Sequence, residues 1–129
     1  MDFVKFNDFK IPTILAITPA EQEKGLMYET NLPSSMAFIY SEPKRNTFWM
    51  SNTPKPLDII FCLNNKVISI YKGEPFSLKL IGGDVSDLVI EMPEGQSKKI
   101  GIDVGSGIEM EYSPKSLARI SLSSFHLKY

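Results

Sequence analysis

The stretch Leu57-Asp58-Ile59-Ile60-Phe61-Cys62-Leu63-Asn64-Asn65-Lys66-Val67-Ile68-Ser69-Ile70-Tyr71-Lys72 decides the fold. Two runs rich in β-branched and aromatic residues flank Asn64-Asn65, a pair that tolerates the positive φ of a two-residue hairpin loop. With that loop Leu63 faces Lys66, and counting back places Cys62 opposite Val67, Ile60 opposite Ser69 and Asp58 opposite Tyr71. One face then carries Leu57, Ile59, Phe61, Ile68 and Ile70. The other carries Ile60, Cys62 and Val67, with Asp58, Ser69 and Tyr71 at its far end. A hairpin that is apolar on both faces belongs at the centre of a sheet and is covered on both sides.

Upstream, Thr47-Phe48-Trp49-Met50-Ser51-Asn52-Thr53-Pro54-Lys55-Pro56 leads into this hairpin and contains the only Trp. Pro54 and Pro56 hold the segment extended, because each fixes its own φ and pushes the preceding residue out of the helical region. Met36 to Tyr40 is an apolar run too short for a helix, so it reads as a buried strand that turns at Ser41–Asn46 into Thr47–Ser51. Nearer the start, strands are expected near 2–6 and 13–17, interrupted by Pro12. Thr18-Pro19-Ala20-Glu21 combines a hydroxyl cap, Pro at the first helical position and Glu three residues after the cap, which predicts a helix over about 19–25.

Downstream, Phe76–Ile81 and Leu88–Met92 read as strands around a turn at Gly82-Gly83-Asp84, which lacks the spacing of a phosphate loop. A second helix is expected over about 93–100, with Pro93 at its start, Lys98 and Lys99 late and Gly101 after it. Ile102, Val104, Ile108 and Met110 suggest two last short strands. The tail beyond Tyr112 reads as an extra strand, a docked segment or a frayed end. The resulting class is mainly β: a compact β-sandwich or partly open barrel of short antiparallel strands with two short helices.

A length of 129 residues suits one domain, and 43% hydrophobic with 22% charged residues excludes disorder and low-complexity classes. The net charge of −1 offers no broad field for nucleic acid or for a membrane surface. Cys62 is the only cysteine and His126 the only histidine, so neither a disulfide nor a Cys and His zinc set can be assembled. Cys62, between apolar neighbours in mid-strand, reads as inert packing. No basic-then-apolar leader opens the chain and no run of about 18 apolar residues occurs, so a cytoplasmic protein without cofactor or metal is expected.

The motifs Thr18-Pro19-Ala20-Glu21 leading to Gly25-Leu26-Met27, Leu32-Pro33 with Met36 and Phe38, Phe48-Trp49-Met50 with Asn52-Thr53 and Pro56-Leu57-Asp58, and Gly101-Ile102 with Val104-Gly105 occur in one order over about residues 10–112. In these the chain resembles the uncharacterised bacterial, archaeal and phage family known as domain of unknown function 192. The resemblance implies a compact β fold over residues 1–112, with 113–129 an extension outside it, and implies no known activity. It also marks two departures. Glu29 stands where members usually carry Arg, and Ser51 where they usually carry Lys, so two positive charges are missing beside the presumed site.

Trp49, Asn52, Asp58, Tyr71 and Glu29 are the candidate ligand-binding residues. Each also has a structural reading: a core aromatic for Trp49, an Asx turn for Asn52, and for Asp58 a carboxylate bonded to loop N–H groups or to Tyr71. An aromatic face beside an amide and a carboxylate suits a small polar ligand, sugar-like or peptide, which favours a non-enzymatic binding or accessory module. The first alternative is a hydrolase-like or cation-assisted enzyme that uses Asp58 as a base, or as a hard-cation ligand with Glu29 or Glu74. The second is a structural or interaction protein, of phage origin, whose tail adds a strand to a partner.

Overall fold

The computed structural model describes residues 1–127, with side chains through residue 123. Along the chain run β1 (Asp2–Phe6), β2 (Phe9–Ala16), α1 (Pro19–Lys24), β3 (Met36–Phe48), β4 (Leu57–Leu63), β5 (Lys66–Gly73), β6 (Ile81–Pro93), α2 (Gln96–Ile100), β7 (Glu109–Glu111) and α3 (Pro114–Leu127). The strands form one seven-stranded sheet in the order β5-β4-β6-β3-β2-β1-β7, curled into a half-barrel. The mainly β, partly open barrel is thus the observed class, built from one sheet rather than a sandwich of two. β2 and β3 pair in parallel over Ile14–Ala16, with α1 in the crossover between them, and the other neighbours are antiparallel.

β4 lies between β5 and β6 and is buried from Leu57 to Cys62, as its two apolar faces require, but β5 is the edge of the sheet and half-buried, so the hairpin is not central, contrary to expectation. One apolar cluster gathers Ile60, Cys62, Ile90 and Met92 with Val4, Phe6 and Ile108. The other gathers Ile59, Phe61 and Val89 with Phe38, Met50 and Ile81. Each side of the β4–β6 pair therefore has its own core, and a polar side chain on β4 or β6 is desolvated whichever way it points.

The hairpin has the predicted two-residue loop, with both Asn64 and Asn65 at positive φ. Its far register is different. Leu63 pairs Lys66 and Cys62 pairs Val67, but Phe61 then pairs Ser69, so Ile68 is an extra, bulged residue. Beyond the bulge Tyr71 lies opposite Ile59 and Asp58 opposite Lys72, which corrects the expected Asp58–Tyr71 pair and sends the two side chains to opposite faces of the sheet.

Two expected turns are strand interior. β3 runs unbroken from Met36 to Phe48 against β6: between the pairs Ile39–Leu88 and Lys44–Ser86, five steps on β3 face two on β6, and Pro43 sits in that outlooped segment. The Asn46 amide bridges the irregularity by donating to the Lys44 carbonyl (3.2 Å), the Ser86 carbonyl (3.1 Å) and Ser86 Oγ (2.8 Å). Likewise Gly82 and Gly83 lie within β6 at φ +90° and +95°. A Cβ on Gly82 would stand 2.2 Å from Phe61 Cζ, so glycine is needed there to let the strand pass over that ring, not to reverse the chain.

Three further expectations change. The second helix begins at Gln96 rather than Pro93, because β6 continues through Pro93 and a turn intervenes at Glu94-Gly95. Of the last two short strands only Glu109–Glu111 forms, as β7 beside β1. The tail is neither strand nor frayed end to its described limit but a third helix, α3, whose start is set by Ser113 Oγ accepting from Ser116 N (3.1 Å) with Pro114 in the first turn. The side chain of His126 lies outside the described residues.

Candidate functional site

α1 begins as its sequence predicts. Thr18 Oγ1 accepts from Glu21 N (3.1 Å), and Glu21 Oε1 accepts from Thr18 N (3.0 Å) and Ile17 N (3.1 Å). Partial burial pushes the Glu21 carboxyl up, but those two N–H donors and Arg119 outweigh it and hold the group below its ordinary value. The helix and the turn after it (Gln22–Met27) stand beside the middle of β3, and between them opens a cavity of about 300 Å³. Phe38, Tyr40 and Phe48 of β3 provide aromatic wall, and Trp49, 48% exposed, stands at its edge rather than in a core. Phe38 and Phe48 meet edge to face at 4.8 Å, and the packing continues through Phe61 (5.7 Å) to Tyr71 (5.4 Å), which stiffens the wall from behind.

The polar centre of this cavity is Glu91 on β6, only 4% exposed, with Met36 and Ile59 as its cross-strand neighbours. Burial alone pushes its carboxyl up to about 8, and no protein hydrogen bond or cation holds it down. Glu91 is therefore neutral at pH 7 and presents one O–H donor and acceptor capacity to the cavity. Tyr40 is pushed up by burial and, second, by Glu91, and stays a phenol. Lys44 lies across the Tyr40 ring with Nζ 4.9 Å from its centroid.

The five sequence candidates do not converge. Trp49 lines the cavity. Asn52 sits in a left-handed turn (φ +54°) and its backbone carbonyl accepts from Tyr28 N at 2.7 Å, a turn made by the main chain rather than the side-chain Asx turn expected of it. Glu29 pairs with Lys24 at 3.2 Å. Asp58 is on the other face of the sheet: Oδ2 accepts from Ser97 Oγ (2.6 Å) and Ser97 N (3.0 Å), and Oδ1 from Gly95 N (3.2 Å). Gly95 has no side chain to cap α2, so β4 supplies the capping carboxylate instead. Tyr71 donates to Asp84 Oδ2 (2.7 Å), a bond that is the main reason its hydroxyl is pushed up. Glu74 lies 3.9 Å from Lys72, and among the described residues no cluster of three His, Cys, Asp or Glu side chains is placed to hold a metal ion.

Glu91 was legible by the same sign that singled out Asp58. It is a carboxylate inside the apolar run Leu88-Val89-Ile90-Glu91-Met92, which reads simply as a strand when only its periodicity is considered.

Among solved structures, a protein of unknown function from Novosphingobium aromaticivorans DSM 12444 is 33% identical over 84% of this chain and 82% of its own, with a TM-score of 0.75. A protein from Sinorhizobium meliloti 1021, described as a candidate transcription regulator, is 26% identical over 84% of this chain and 91% of its own, with a TM-score of 0.77. No curated protein matches the chain. The model of domain of unknown function 192, an uncharacterized ACR family, matches residues 4–110, which takes in α1, the cavity, Trp49 and Glu91 and leaves out α3; the chain belongs to that family.

Proposed function

We propose that this protein is a small-molecule binding module whose pocket is the cavity beside Trp49, with Glu91 as its recognition group. The observation that carries the reading is a carboxyl on a buried side chain that opens onto a cavity and takes no hydrogen bond from the protein. A carboxyl in that setting gains from a bound polar partner what the fold does not supply, and the rings of Phe38, Tyr40, Phe48 and Trp49 offer faces for the rest of a small ligand.

Binding is favoured over catalysis because the other carboxylate on the lining, Glu23, is exposed at the rim of α1, and Asp58 has both oxygens engaged in capping α2. The transcription-regulator description of the Sinorhizobium protein is not carried over, since a net charge of −1 gives no basic field for phosphates. The test is a fragment screen read by Trp49 fluorescence and by the carbon signal of the Glu91 carboxyl. Hits that move both signals and are lost in Glu91→Ala at retained fold support the site; hits indifferent to Glu91 and Trp49 overturn it.

A further inference from the structure

Resting on that pocket, we propose that its ligand is a small organic cation, a primary or secondary amine whose ammonium pairs with the Glu91 carboxylate between the aromatic rings. The Glu91 side chain is buried, no protein group hydrogen-bonds its carboxyl and its oxygens open onto the cavity, so its charged form lacks a counter-ion. The protein does not provide one. Lys24 is engaged by Glu29 (3.2 Å) and the Met27 carbonyl (3.4 Å), and Lys44 is stacked on Tyr40; neither lysine contributes to the shift of Glu91. The aromatic wall suits the same charge, since a ring face attracts a cation and the Lys44 ammonium already uses the Tyr40 ring in this way. A neutral ligand would use the carboxyl as donor and acceptor but would leave the ring faces without their electrostatic complement.

The proton balance follows from the groups facing Glu91: Glu23 and Lys24 on α1, Tyr40 and Lys44 on β3, and apolar Ile59 on β4. Burial keeps the Glu91 carboxyl protonated near neutral pH until an ammonium enters. The neutral carboxyl gives its proton to solvent, the ammonium keeps its own, and the carboxylate–ammonium pair remains. Binding therefore releases up to one proton and tightens as pH rises through about 8, where Glu91 is half-ionised in the free protein.

Benzylamine and its neutral near-isostere benzyl alcohol test the proposal by titration calorimetry at pH 6.5 in two buffers of different ionisation enthalpy. The expected result is proton release with benzylamine only, at least tenfold weaker binding of benzyl alcohol, and at least tenfold loss of benzylamine affinity in Glu91→Gln. Trp49→Ala should weaken benzylamine and keep the proton release. Equal binding of the two compounds without proton release overturns the cation assignment and leaves the pocket standing. Benzylamine binding that moves neither Trp49 nor Glu91 signals, or no binding by benzylamine and butylamine alike, overturns the cation proposal, and the pocket is then judged by the fragment screen.

Discussion

A carboxylic acid set between aliphatic and aromatic side chains keeps its proton, because ionisation in that position forfeits hydration without gaining a partner. Glu91 binds a proton in the folded state up to about pH 8, whereas the unfolded chain releases it near 4.5. The folded state thus holds more protons between those values, and stability must fall as pH rises from about 4.5 to 8, then level off. The full effect is on the order of 5 kcal/mol at the usual 1.36 kcal/mol per unit. Glu91→Gln removes the slope, so melting temperatures of the two forms should diverge above pH 5 with Gln the more stable; parallel curves from pH 5 to 9 would contradict the burial of this group. Phe76 provides a second test at this scale. It has φ +62° and is 62% exposed, so it bears left-handed strain without packing in return. Phe76→Gly should raise stability by up to about 1 kcal/mol in denaturant titration. Of these features, the carboxylate in an apolar run could be seen in the sequence, whereas the left-handed Phe76 could not, since no residue type announces it.

An element keeps its predicted register only to its first irregularity. Asn64-Asn65 determined the loop and the pairs nearest it, but β5 bulges at Ile68, and that one extra residue moved Tyr71 to the other face. The same limit explains β3 and β6: Pro43 and Gly82-Gly83 look like chain reversals locally, and only their pairing across the sheet makes them bends within long strands. The Gly82 contact is testable. Gly82→Ala meets both a positive φ and the Phe61 ring at 2.2 Å, so a loss of about 2–4 kcal/mol is expected. Phe61→Leu in the same chain should restore part of it, whereas strict additivity would show that the ring is not the obstacle. For α2 the decisive group is on another element. Asp58→Leu strands the Gly95 and Ser97 N–H groups and the Ser97 hydroxyl, each worth about 1–3 kcal/mol where buried, while Asp58→Asn keeps an acceptor at nearly the same shape. Thermal melts should rank wild type above Asn and Asn well above Leu; a Leu variant as stable as wild type would refute the capping role.

At the scale of the molecule the question is how α3, outside the family match, is joined to the half-barrel. Among the described residues no helix is long and apolar enough to cross a membrane, and α3 lies against the protein. Its first turn is tied to the start of β1, where Asp2 Oδ1 accepts from Ser113 N and Oδ2 from Ser116 Oγ, both at 2.8 Å. One turn on, Arg119 Nη2 reaches both oxygens of Glu21 (2.8 and 3.0 Å), and Ile120 packs on the core. Glu21 thus serves two elements at once, closing the N-terminus of α1 and receiving α3. Its carboxyl is held below the ordinary value of 4.5, so its contribution is present above that pH and is lost as pH falls through the depressed folded value. This is the opposite slope to that of Glu91. With both partners about 40% exposed, solvent screening limits the Arg119 pair to roughly 0.2–1 kcal/mol, too little to move the global melt far but enough to change local opening. Protection factors over 114–122, corrected for intrinsic exchange at each pH, should therefore fall several-fold in Arg119→Met, in acid, or at high salt, with those of the β4–β6 amides unchanged. Exchange that rises equally in α3 and in the sheet would mean that the helix is part of the global folding unit rather than a segment docked on it.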